Sequence, residues 1–240
     1  MKSFLILLIS LHTLHAASFE EAVQLAKNGD TDRAIATYQD LLNEQGPSAS
    51  SYYNLGLCYQ QKSDTGRAVL AYERALALSP RATDVANNLK QLRTAASLPT
   101  DRPVVSTLPA GIAWLSRGEW TLLFYASLIH LVIGVIMASF SRKKKFRLIG
   151  IFNASTCLIV AGSIAWIIDQ RKAEDQFAIV IDSEQSLLLS PFPTAEKLSA
   201  CPPGTLIRIE SVKDDYAYVT RPNTTTPGWL PCNAIETIQK

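Results

Sequence analysis

Histidine, cysteine and paired carboxylates build most active sites, and this 240-residue chain places them poorly for catalysis. His12 and His15 fall in an apolar N-terminal run and His130 in a later one. The polar regions therefore hold no imidazole to act as base in a Ser-His-Asp or Cys-His arrangement. Cys58, Cys157, Cys201 and Cys232 are too scattered for a zinc site, and no glycine-rich phosphate cradle occurs. Asp214-Asp215 reads as a solvated turn rather than an acid–base pair. His130 in a membrane span would be a relay candidate, but neither apolar span offers an ionisable partner, so packing or an interface position is expected. The chemistry expected is recognition rather than catalysis, with no enzyme activity, cofactor or metal.

The elements that would position recognition surfaces are separated by three apolar blocks. The chain is 48% hydrophobic and only 18% charged, against a usual ~25% charged, with mean hydropathy +0.10. A net charge of +2 and the lack of low-complexity runs exclude a disordered or nucleic-acid-binding chain. Residues 1–17 combine Lys2, the apolar stretch Phe4–Ile9 and small residues near Ala16-Ala17. This is the layout of a signal peptide, with an uncleaved anchor as the alternative. Residues 120–140 and 148–168 carry no charge, and about 20 helical residues cross a ~30 Å hydrocarbon core. Two transmembrane helices are expected.

Residues 141–147 between them hold Arg142, Lys143, Lys144, Lys145 and Arg147 and no acid. That asymmetry places the loop in the cytoplasm and both flanks outside, as export of the N-terminus also requires. Anionic lipid headgroups are the expected surroundings of the basic run. The flanks are the N-terminal segment 18–98 with linker 99–119, and the C-terminal segment 177–240 with linker 169–176. Residues 17–98 carry 8 basic and 9 acidic side chains and residues 177–240 carry 5 and 7, so the mild overall charge describes neither.

Segment 18–98 has helix formers at helical spacing and a near-copy 34 residues on: Ala34 with Ala68, Tyr38 with Tyr72. The second unit holds Tyr52, Leu55, Gly56 and Tyr59 on one helix, Ala68, Tyr72 and Ala75 on the next, then Pro80. Small residues let paired helices approach, large ones fill the space beside them, and the proline ends the unit. A 34-residue helix-pair period resembles the tetratricopeptide family. The first unit keeps Ala22, Leu25, Ala34 and Tyr38, with Asn28-Gly29-Asp30 as its turn, but has Glu21 where a large apolar residue is expected. A third, partial unit over 83–96 reads as a capping helix. Such stacks bind peptides along the face of their first helices, which here would show Phe19, Val23, Tyr53, Leu57, Gln60, Asn87 and Gln91. With no Lys/Arg cluster, a carboxylate clamp is not expected.

Segment 177–240 changes to short strand-like runs, Ala178–Ile181, Ser186–Leu189, Leu206–Glu210, Tyr216–Val219, Gly228–Leu230 and Ile235–Ile238, separated by Pro, Gly and Asp, and Leu206–Glu210 and Tyr216–Val219 alternate. This pattern predicts a small all-β barrel or sandwich. The order Ser190-Pro191, Pro203-Gly204-Thr205, Tyr216 with Val219, and Gly228-Trp229-Leu230 resembles a bacterial SH3-like domain. The resemblance makes Tyr216 and Trp229 a candidate aromatic ligand face, with core or rim packing as the alternative. In an exported domain Cys201 and Cys232 form a candidate disulfide, closing a loop of about 30 residues for ~3 kcal/mol on the loop-entropy model. Two buried thiols are the alternative.

The expected architecture is therefore multidomain: an α-helical tetratricopeptide stack, a two-helix transmembrane hairpin and a small SH3-like barrel. This order, carried by the Tyr52–Pro80 repeat, the Arg142–Arg147 hairpin and the Gly228-Trp229 strand, resembles the BatE type of the Bat aerotolerance system. The resemblance implies a non-enzymatic bacterial inner-membrane scaffold, with both modules periplasmic. It further implies partnership with von Willebrand factor A-type Bat proteins and an associated AAA ATPase, in oxygen or envelope stress. A receptor binding peptidoglycan through the SH3-like domain is the alternative.

Overall fold

Residues 19–100, 115–172, 176–182, 185–222, 224 and 226–239 are described by the structure, a computed structural model. The expected signal peptide at 1–17 and most of linker 99–119 lie outside them. The helices follow in pairs: α1 (19–27) and α2 (Thr31–Gln45), then α3 (Ala49–Gln61) and α4 (Thr65–Leu78), then α5 (Thr83–Ala95) alone. Local chemistry sets their ends. Gly29 (φ +81°) turns the chain between α1 and α2, Ser48 Oγ accepts Ser51 N–H at the start of α3, and Asp64 Oδ1 accepts Arg67 N–H at the start of α4.

The 34-residue period is realised as equivalent burial. Ala34 and Ala68, and likewise Tyr38 and Tyr72, are fully buried. A methyl on Gly56 would come 2.6 Å from Tyr72 Cε1, so only glycine lets α3 and α4 lie this close. Where Leu55 is buried in the second unit, its counterpart Glu21 is exposed on α1, so the first unit packs without that contact.

The C-terminal segment forms β1 (Phe177–Val180), β2 (Gln185–Leu188), β3 (Lys197–Cys201), β4 (Leu206–Lys213), β5 (Tyr216–Thr220), β6 (Gly228–Pro231) and β7 (Ile235–Thr237). A 3-10 turn at Cys232–Ala234 precedes β7. All pairings are antiparallel, in the order β3-β2-β6-β5-β4-β1-β7. The expected barrel is not closed: β3 and β7 are the two sheet edges. The physical reason lies at β7, where the carbonyls of Thr237 and Ile238 accept hydrogen bonds from Arg74 of α4 (2.7 and 3.2 Å). That end of the sheet is engaged by a helix instead of by β3.

Helical stack and sheet are one compact unit. β1 is the seam. Phe177-Ala178-Ile179-Val180 is apolar throughout and buried throughout, as a strand covered on both faces must be. Ala178 and Val180 enter the sheet core with Leu187, Ile207, Ala217, Val219 and Leu230. Ile179 joins Val69, Leu76, Leu92 and Leu98 of the helices, with Ile181, Leu206 and Ile238 beside it. Backbone approaches backbone here: a methyl on Gly66 would lie 2.8 Å from Ile181 Cα. Gly204 (φ +88°) brings the β3–β4 turn against Leu98 and Val69.

The second unit is a helical pair, described by itself. α6 (Arg117–Phe140) opens with a capping box in which Ser116 Oγ accepts Glu119 N–H and Glu119 Oε2 accepts Ser116 N–H. α7 (Lys144–Lys172) starts inside the basic run rather than after it, so only residues 141–143 lie between the helices. The spans Gly118–Phe140 (23 residues, mean hydropathy 2.2) and Lys144–Asp169 (26 residues, 1.9) are long and apolar enough to cross a membrane. Their large side chains, among them Leu122, Phe140, Phe152 and Ile159, are largely exposed. A methyl on Gly150 would meet Ala138 N at 2.5 Å and Gly134 O at 2.7 Å, so the two backbones touch at this glycine pair.

Candidate functional site: two recognition faces

The first-helix face of the stack is built from residues with unequal freedom. Phe19 and Val23 of α1 pack on the core around Tyr38, and the Phe19 ring meets Tyr38 edge-on at 5.9 Å. Tyr53 and Leu57 of α3 are half-buried against the Val69–Leu92 cluster. The Tyr53 ring lies 6.1 Å from Tyr72, and its hydroxyl accepts from Asn88 Nδ2 at 3.1 Å. Gln60 is exposed but its Oε1 accepts the Tyr72 hydroxyl at 2.8 Å. Asn87 and Gln91, one turn apart on α5, are exposed. The seven side chains therefore divide into a packed set and a free polar set. Asn88 was missed by sequence reasoning. Its signal was weak, since an amide beside Asn87 gives no indication of which one meets Tyr53.

On the sheet, alternation separates two faces. Ala217, Val219, Gly228 and Leu230 point into the core, whereas Tyr216, Tyr218, Trp229 and Pro231 share the opposite, half-exposed face. The register sets Tyr216 opposite Pro231 and Tyr218 opposite Trp229. The rings of Tyr218 and Trp229 lie 5.1 Å apart at 50°, close enough to pack as an aromatic pair. The partner of Trp229 is thus Tyr218, with Tyr216 one step along. Tyr218 was legible in principle, two residues from Tyr216 in an alternating strand.

The cysteines do not pair. Cys201 and Cys232 are both free thiols, and the bridge expected between them is not formed. Cys201 ends β3 and Cys232 follows β6, and β2 lies between those strands. Burial pushes the Cys201, Cys232 and Cys58 thiols up, with Asp215 adding to the effect at Cys232. Less thiolate at neutral pH is the opposite of activation. His130 is exposed on α6, with Nδ1 3.3 Å from Ala126 O.

Stack and sheet also form a partly open pocket of about 170 Å³, lined by Leu98, Pro99, Pro202, Leu206, Arg221 and Pro222 among others. Arg221 is tied down there, donating from Nη1 to Ala200 O and from Nη2 to Ser199 Oγ. Arg93, at the same pocket, forms an ion pair with Glu73 at 2.9 Å, both nearly fully buried.

Comparison with known families places the repeat. Residues 49–81 match the tetratricopeptide repeat, so α3 and α4 form a helix pair of the class that makes protein–protein interaction modules. No curated protein matches the chain.

Proposed function

We propose that the protein is a non-enzymatic adaptor, anchored in a bacterial inner membrane by α6 and α7, that presents its repeat stack and sheet to protein partners in the periplasm. The observation that carries this reading is the composition of the first compact unit, which joins chain segments from both sides of the helical pair. A chain that leaves and returns to one body must cross a bilayer an even number of times. Two spans joined by a basic turn satisfy that condition, and the positive charges favour a cytoplasmic turn. The repeat supplies the interaction face and the spans supply the anchor.

By the resemblance of its order of elements to the BatE type, the partners proposed are von Willebrand factor A-type membrane proteins and their AAA ATPase. The groove test uses Asn87→Arg and Gln91→Arg together. Both side chains are exposed, whereas Tyr53 and Leu57 carry packing and their substitution would disturb the fold. Detergent pull-down of the full chain from native membranes, read by mass spectrometry, should recover von Willebrand-type proteins and lose them in the double variant. Unchanged recovery would refute the groove. Cysteines introduced at Lys62 and Lys213, both exposed, should label from the same side of intact inner-membrane vesicles, and a cysteine at Lys145 from the other. Any other pattern refutes the two-span topology.

A further inference from the structure

The turn between α6 and α7 concentrates charge to a degree that orientation alone does not require. Five cations fall within the six residues 142–147, and no Asp or Glu occurs from residue 120 to 168. All five are exposed, and none has an ion pair among the described residues. Three of them, Lys144, Lys145 and Arg147, stand at the start of α7, whose first turn has no acid. Cations at a helix N-terminus oppose the helix dipole, and close like charges repel. The backbone contact at Gly134 and Gly150 holds the two helices together near this end, keeping the charges on a narrow tip. Phe140, two residues before the run, and Phe146, within it, are both exposed. The like charges repel one another within the chain, and an external anion relieves that repulsion. With apolar helices leading away from it and aromatic rings beside it, the surface it fits is a lipid interface.

We propose that this tip is a binding surface for anionic phospholipid headgroups, retained after the orientation of the hairpin has been set. The proposal rests on the reading of α6 and α7 as membrane spans. Lys143, Lys144 and Lys145 are the central contacts, with Arg142 and Arg147 at the margins. Each basic residue close to an anionic surface shifts partitioning about fivefold, so neutralising the three lysines lowers the preference by roughly 100-fold.

The test uses the full chain, reconstituted in nanodiscs of phosphatidylcholine and phosphatidylglycerol in equal amounts. Lipids that stay bound on gentle release are counted by native mass spectrometry. Discs expose both faces, so a variant inserted the other way round is still read. The wild type should retain phosphatidylglycerol in strong preference. The combined Lys143→Gln, Lys144→Gln, Lys145→Gln variant should lose that preference, and the matching Lys→Arg triple should keep it. Equal retention of the two lipids by the wild type, or an unchanged ratio in the Gln triple, overturns the proposal while leaving the spans intact. Loss of selectivity when inorganic phosphate replaces chloride at equal ionic strength also overturns it, because free phosphate would then be the ligand. A chain that enters neither this disc nor one of phosphatidylcholine alone overturns the spanning reading and the proposal together.

Discussion

Arg74 of α4 ties the β7 edge of the sheet to the helices. Its guanidinium donates to Glu236 Oε1 at 2.8 Å, Thr237 O at 2.7 Å and Ile238 O at 3.2 Å, and lies over the Tyr52 ring at 5.7 Å. The side chain is 11% exposed and that of Glu236 31%. Arg74→Met keeps the stem and removes all three bonds. A hydrogen bond to a charged group is worth ~1.5–3 kcal/mol when buried, but the partly exposed Glu236 recovers water, so the pair contributes at the low end. With the two carbonyl bonds the loss is about 3 kcal/mol, a factor of roughly 100 in a local opening equilibrium. Hydrogen–deuterium exchange of the full chain in detergent should show that loss of protection at residues 235–238. Peptides of β5 and β6, whose core is the separate cluster around Leu187 and Leu230, should keep theirs. Protection at 235–238 within threefold of wild type would refute the reasoning. So would an equal loss across β5 and β6, which would mean that the sheet has no stability of its own.

Gly66→Ala forces a methyl within 2.8 Å of Ile181 backbone atoms, which cannot move aside as a side chain would. It should destabilise the stack–sheet seam by ~1–3 kcal/mol, read as a lower thermal midpoint. Gly56→Ala meets the buried Tyr72 ring instead and should cost a similar amount, with exchange increasing in α3 and α4 before any strand. Burial, reinforced by Cys58 and Glu20, pushes the Tyr38 hydroxyl up to about 12 from 10. The folded state therefore holds a proton that the unfolded state gives up, and stability falls as pH rises from about 10 to 12. Tyr38→Phe should flatten that alkaline loss in pH-dependent melts and cost under ~1 kcal/mol at neutral pH, since the hydroxyl has no hydrogen-bond partner among the described residues. Under denaturing, non-reducing conditions an alkylating reagent should modify both Cys201 and Cys232, and protection of the pair would show them bridged.

Local pattern made the helices and most of the strands legible. The repeat could be read because its small and large positions recur at a fixed offset and meet within one helix pair, as Gly56 and Tyr72 do. Five strands alternate, or are bounded by Pro, Gly and Asp; the turn at Asp214, in left-handed conformation (φ +53°), follows the same logic. Strand β3 was not predicted. Lys-Leu-Ser-Ala-Cys has no β-branched residue, and it is mostly exposed as a sheet edge. The open edge and the unbridged cysteines were also out of reach, because both depend on which strands are neighbours. The start of α7 inside the basic run was obscured by its charge, which suggests a loop although Lys and Arg are good helix formers. On the candidate faces, residue types were legible but their packing was not. They did not separate Tyr53 and Leu57, which pack, from Asn87 and Gln91, which are free.

The feature least visible in sequence is the one that makes the two flanking segments a single body. A repeat stack ends on a helix whose far face has no successor, and solenoids cover that face with a polar cap. Residues 83–96 read as such a cap, and α5 has that pattern: it buries Val85, Leu89 and Leu92 on one face and exposes Asp84, Asn87, Lys90, Gln91 and Thr94 on the other. The sheet covers a different face, that of α4. β1 sends Ile179 to the cluster that holds Val69, Leu76 and the buried Leu98, and Leu206 and Ile238 follow. The residues that meet here are far apart in the chain, as with Arg74 and Glu236, 162 positions apart. No local pattern encodes such a contact, but one consequence was present in the sequence. A four-residue strand that is apolar throughout, in a sheet where β5 and β6 alternate, needs cover on both sides. Phe177–Val180 is that strand, and its second cover is the repeat.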